Sequence, residues 1–174
     1  NENKIGTIVI PVFIEEGDDP DEKISASEFD QVWKVVTALR SHDEILGEEL
    51  DELRVQMGRK QKISIKGSKI ILDLHKSIDQ SFAKAFETKL IESATASWEF
   101  WYGLLEVYLE THGDTLVPVK YKTPDGYNLG VWVNTQRTKK DTISADRLQR
   151  LDELGFVWDV LAEQWEAGYT ALVE

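Results

Sequence analysis

The stretch from Trp98 to Trp158 leaves this chain the least choice of fold. Trp98, Trp101-Tyr102, Leu105 and Tyr108 recur at steps of three and four residues, the spacing of one buried helix face. The spacing predicts a helix over about 97–111 that buries Trp98, Leu105, Tyr108 and either Trp101 or Tyr102. His112-Gly113 should stop it, because glycine accepts the left-handed backbone that closes a helix. A loop with Val117-Pro118, Lys120-Tyr121-Lys122 and the turn residues Thr123-Pro124-Asp125-Gly126 follows. A second helix is expected over about 128–138, with Leu129, Trp132 and Val133 inward. A third, capped by Ser144 with Asp146 in its first turn, should bury Leu148, Leu151 and Leu154, and Phe156 and Trp158 close the core. Trp98, Trp132 and Trp158 read as core, the usual place of large aromatics, rather than as a ligand cage.

This set of residues, with Leu154-Gly155 as a second glycine punctuation and Gln136-Arg137 followed by Lys139-Lys140, resembles the helicase-associated domain. That is a three-helix module found in tandem behind the motor of some bacterial superfamily 2 (DEAD/DEAH-type) ATP-dependent helicases. The resemblance covers about a third of the chain and implies a Myb-like helical bundle that binds nucleic acid. Trp165, Glu166, Tyr169 and Leu172 repeat the mutual spacing of Trp98, Glu99, Tyr102 and Leu105, as the first helix of a second copy would. The chain therefore reads as a piece of a longer polypeptide.

The residues before the module are organised differently. Residues 5–14 are β-branched and apolar, the pattern of a buried strand, and Pro11 places it at an end or an edge. They resemble the last strand of the second RecA-like domain of those helicases. An acidic loop (Glu15 to Glu22) and a capping box (Ser25 to Glu28) precede Phe29, Val32, Trp33, Val36, Leu39, Leu46, Leu50 and Leu53. These predict a long amphipathic helix reaching about Met57, with Ser41 to Asp43 or Gly47 as places of interruption. Alternation around Lys66-Gly67-Ser68 predicts a small β hairpin over 61–74. A second capping box, Ser77 to Gln80, opens a helix with Phe82, Phe86, Leu90 and Ile91 on one side, ending near Ser93 to Ser97, where Thr95 or Ser97 caps the next. The expected fold is mainly α: a three-helix module preceded by a helical connector with one small hairpin and one N-terminal strand. The expected divisions are 1–58 (end of the RecA-like domain), 59–95 (connector), 96–160 (helicase-associated domain) and 161–174 (start of a second one).

Composition and motifs bear on chemistry. The absence of cysteine removes disulfides and thiolate zinc sites, and His42, His75 and His112 are scattered. A cytoplasmic setting without a membrane partner fits these features and the lack of a long apolar run. No phosphate-cradling glycine loop ending in Gly-Lys-Ser/Thr is present, so ATP hydrolysis is not expected of these residues. ATP and magnesium are implied only for the motor of the parent helicase. Asp51-Glu52 and Asp152-Glu153 lie in helical patterns and read as surface carboxylates, and neither His42-Asp43 nor Asp73 with His75 accompanies a nucleophile motif. No catalytic residue is assigned.

The net charge of -12 opposes phosphate binding unless the basic residues are segregated, and they are. Every charged residue from Arg54 to Leu72 is basic, a stretch that reads either as solvated lysines or as a contact for nucleic acid. The module carries Lys120, Lys122, Gln136, Arg137, Lys139, Lys140 and Arg147, which read either as an ordinary solvated face or, as the resemblance implies, as an edge that grips nucleic acid, with DNA expected ahead of RNA. Arginine clasps a phosphate with two N–H groups, and glutamine reaches a phosphate or a base edge. Tyr121 and Tyr127 either stack on bases or pack on the first helix. The other expectation is a protein-interaction or spacer module that docks on the motor domains of the same chain or on a partner, with self-association through its apolar ends.

Overall fold

The computed structural model describes Val9, Ile24, residues 29–73 and 80–163, and Trp165. Its elements, in chain order, are α1 (Asp30–His42), α2 (Glu44–Gly58), α3 (Gln80–Ala94), α4 (Ser97–His112), α5 (Leu129–Thr138), a 3-10 turn (Lys140–Thr142) and α6 (Ala145–Glu153). Among the described residues there is no strand. Contacts divide the chain into two compact units: Asn1–Met57 with Gln61–Glu99, and Gly58–Lys60 with Phe100–Glu174.

The first unit is built on aromatic and branched side chains that periodicity places on one face of each helix. Val32 and Val36 of α1, Leu46, Leu50 and Leu53 of α2, and Phe82, Phe86, Leu90, Ile91 and Ala94 of α3 are buried in one cluster. Helix α1 packs on α3, where Phe29 and Trp33 meet Phe86 at centroid distances of 5.6 and 5.2 Å. Residues predicted to lie in divisions 1–58 and 59–95 thus share one core.

The expected long helix breaks at Asp43, which takes an extended backbone and donates its N–H to the Leu39 carbonyl. Its carboxylate accepts the N–H of Leu46 at 3.1 Å, so the residue that ends α1 caps α2. The ammonium of Lys69 sits on the same carboxylate at 2.6 and 2.7 Å. That hydrogen bond, with the N–H of Leu46 behind it, holds the Asp43 carboxyl below its ordinary range.

The hairpin predicted over 61–74 does not form within the described residues. Its turn does: the N–H of Ser68 reaches the carbonyl of Ile65 at 3.0 Å, and Gly67 has a φ of 97°. The arms depart from it because their apolar side chains fill a helical core instead of facing each other. Ile65 is buried there, and Ile63, Ile70 and Leu72 pack against it. Side chains satisfy part of the backbone that a ladder would have used: Ile70 N–H donates to the Ser68 hydroxyl, and Lys69 N–H to Glu49. The strand expected over 5–14 lies outside the described residues except for Val9, which is exposed, as do the capping boxes at 25–28 and, apart from Gln80, at 77–80.

The second unit holds most of α4, together with α5 and α6. Helix α4 ends at Gly113, whose φ is 83° and whose N–H closes on the Leu109 carbonyl at 2.8 Å. The Thr95 hydroxyl donates to the carbonyl of Ile91 and so closes α3. Leu105, Leu129, Val133 and Leu151 are wholly buried, with Tyr102, Tyr108, Val117 and Phe156 around them. Three expected core residues, Trp132, Leu148 and Leu154, are only half-buried, and so is Trp158. Ser144 stands at the start of α6 with its hydroxyl unused as a cap; its carbonyl instead accepts the N–H of Leu148.

Candidate nucleic-acid interface

Helix α5 and the segments at its two ends carry most of the residues that the sequence singled out for nucleic-acid contact. Its start is fixed by Gly130. A methyl group there would run into the carbonyl oxygens of Pro118 and Val119, so only glycine lets the loop lie against the helix. The N–H of Gly130 donates to the Tyr121 carbonyl at 3.1 Å. Lys120 and Lys122, on either side of Tyr121, are thereby held near the first turn of α5, and both are exposed.

The loop itself is a hydrogen-bonded turn. Gly126 donates to the carbonyl of Thr123 at 2.8 Å with a φ of 87°, and the buried Thr123 donates its N–H to the Tyr127 carbonyl at 2.9 Å and accepts the Tyr127 N–H on its hydroxyl at 3.1 Å. Both loop tyrosines pack on α4. Tyr121 is edge-on to Tyr108 at 4.9 Å, and Tyr127 edge-on to Phe100 at 5.1 Å and to Trp101 at 6.0 Å.

The other end of α5 carries Arg137, Lys139 and Lys140, and they differ in kind. Lys139 is exposed. Lys140 is exposed too, with its ammonium 4.9 Å from the centre of the Trp158 ring, a cation on an aromatic face. Arg137 turns inward: Nε donates to the carbonyl of Val157 at 2.9 Å, Nη2 to that of Thr115 at 3.0 Å, and the guanidinium lies 5.4 Å from the Phe156 ring centre. Burial pushes its pKa below the ordinary arginine value. Gln136 is buried, its amide on the carbonyl of Trp132. Arg147, on α6, is half-buried.

Of the residues singled out in the sequence, the structure therefore puts Lys120 and Lys122 at one end of α5 and Lys139 and Lys140 at the other. At 1.5 Å per residue, Gly130 and Lys139 are about 13 Å apart along the axis. Gln136 and Arg137 are engaged inside the unit.

Arg137 works with a residue that the sequence did not single out. Thr115 is buried; its hydroxyl donates to the Gly155 carbonyl at 3.0 Å and accepts the N–H of Val157 at 2.9 Å. Together Thr115 and Arg137 fasten the segment after α6 to the loop after α4. A threonine between a helix-stop glycine and a proline carries no signal of such a role.

Residues 95–159 match the family model of the helicase associated domain. They form a helicase-associated region, and the two glycine stops, the aromatic face of α4 and the lysine-bearing ends of α5 all lie within it. No curated protein and no solved structure matches the chain.

Outside this helicase-associated region, most of the basic stretch 54–72 is neutralised within the fold. Arg59 forms a two-point pair with Glu106 at 2.5 and 2.8 Å, Lys60 pairs with Asp125, and Lys69 with Asp43. Arg54 lies 3.3 Å from Glu92. The Asp-Glu pairs are engaged as well: Asp51 accepts from Arg40, and Asp152 from the indole N–H of Trp158 at 2.7 Å. His112 stacks on Tyr108. Among the described residues no group of three or more His, Cys, Asp or Glu is placed to hold a metal ion, and no helix is long and apolar enough to cross a membrane.

Proposed function

We propose that the helicase-associated region holds nucleic acid, DNA in preference to RNA, for the ATP-driven motor of a superfamily 2 helicase. The observation that carries this reading is helix α5. Its ten residues include no acid, and exposed lysines stand at both ends, in a chain whose net charge is -12. Segregated positive charge of this kind is what counterion release from a phosphate backbone requires. Exposed lysines beyond the two ends of a ten-residue helix, about 15 Å long, suit successive positions along a strand rather than a single phosphate. ATP and magnesium belong, on this reading, to the motor.

The test is a titration of the chain into labelled DNA and RNA at several salt concentrations. Replacing Lys139 and Lys140 with Ala should weaken binding and lower the slope of log affinity against log salt by about 1.4 to 1.8, the share of two phosphate contacts. Melting should stay near that of the parent chain. Unchanged affinity and slope would remove this edge from the site.

A second reading, docking on the motor domains or on another copy, has its own observation. Leu161 is 79% and Trp165 75% exposed, large apolar groups outside any core. Light scattering at high concentration separates it: a clean monomer counts against self-association.

A further inference from the structure

The helicase-associated region has an apolar surface beside its charged one. Val119, Tyr127 and Val131 are 51%, 41% and 55% exposed. They adjoin two half-buried indoles, Trp101 on α4 and Trp132 on α5, whose rings lie within 13° of parallel with centroids 6.4 Å apart. Tyr127 stands edge-on to Trp101, and Gly130 draws the backbone of Val119 against the first turn of α5, next to Val131 and Trp132.

The charge around this patch is positive. Lys120 and Lys122 flank it, and the one acid between Thr115 and Lys140, Asp125, is paired with Lys60. The outward positions of α5 beyond Val131 are Asn134, Thr135 and Thr138, neutral and small, leading to Lys139. A protein interface of ordinary size engages roughly 20–30 residues on each side. Three exposed apolar side chains rimmed by lysines suit a smaller, flat and anionic partner.

We propose that this patch receives the unpaired bases of a single strand, with Lys120 and Lys122 on the adjoining phosphates. Bases stack on aromatic faces whatever their identity, whereas a duplex keeps its bases stacked on one another. The inference rests on the nucleic-acid reading above and specifies which form of nucleic acid the region grips.

The experiment uses the full chain, a labelled oligothymidylate and a duplex of equal length, with indole N–H resonances followed by NMR. The single strand should bind about tenfold more tightly than the duplex, on the scale of one stacked base. The Trp101 and Trp132 indole signals should move, and that of Trp33, in the other unit, should not. Val131→Glu, on an exposed helical position, should abolish the strand preference while leaving melting unchanged, and Trp132→Ala should weaken single-strand binding. Equal affinity for both forms, with the Trp101 and Trp132 signals unmoved and Val131→Glu without effect, would overturn the stacking site and leave the lysine grip standing. Absence of binding by both forms at low salt would overturn the stacking site and the lysine grip together.

Discussion

Arg137 shows how one side chain takes on a role that its type does not announce. In the sequence it belongs with Lys139 and Lys140 as part of a basic run. In the fold its two donors close on the carbonyls of Val157 and Thr115, across separations of 20 and 22 residues. Such pairings follow from where the chain returns, which composition and spacing do not encode. Arg137→Ala should therefore lower stability by about 2 kcal/mol, since two carbonyls lose charged donors. Arg137→Lys should recover only part of this, because an ammonium lacks the planar fork. Thermal or urea melting decides it, and a variant that melts like the parent would return Arg137 to the candidate surface. The lysines were legible for the opposite reason: exposed charge needs no partner from elsewhere in the chain.

At the scale of elements, periodicity carried most of the information. The interruption of the first helical run, the stop at Gly113 and the limits of α5 follow from spacing, a capping aspartate and glycine, all local signals. The segment over 61–73 did not yield to the same logic. Its β-branched alternation describes side chains that point to opposite sides, and a segment laid across a helical core satisfies that description as well as a hairpin does. Type and spacing place Trp132 inward, whereas its ring lies half-buried against that of Trp101; the tight position at the loop belongs to Gly130. Gly130→Ala should cost about 1–3 kcal/mol, since the methyl meets backbone rather than a flexible side chain. Because the loop bearing Lys120 and Lys122 would be pushed from α5, the same variant should also weaken nucleic-acid binding. A melting point equal to that of the parent would show that the loop yields without strain.

At the scale of the whole molecule, the family match begins at residue 95, while the compact unit that contains most of it also takes in Gly58–Lys60. Gly58 fits against the backbone of Phe100 and Gly103, where any side chain would collide, and Arg59 and Lys60 fasten to Glu106 and Asp125. The chain is thus laced, passing from one unit to the other and back before passing over again. Trypsin cutting once after Lys66 or Lys69, both exposed, would leave each piece owning a share of both units. The nicked protein should run as two bands under denaturing conditions and as one peak on gel filtration. Two native peaks would mean that neither the shared core of the first unit nor the short crossing holds the pieces together. Otherwise a broken backbone is still a whole molecule, because the cut falls inside the first unit and each unit is assembled from chain on both sides of it.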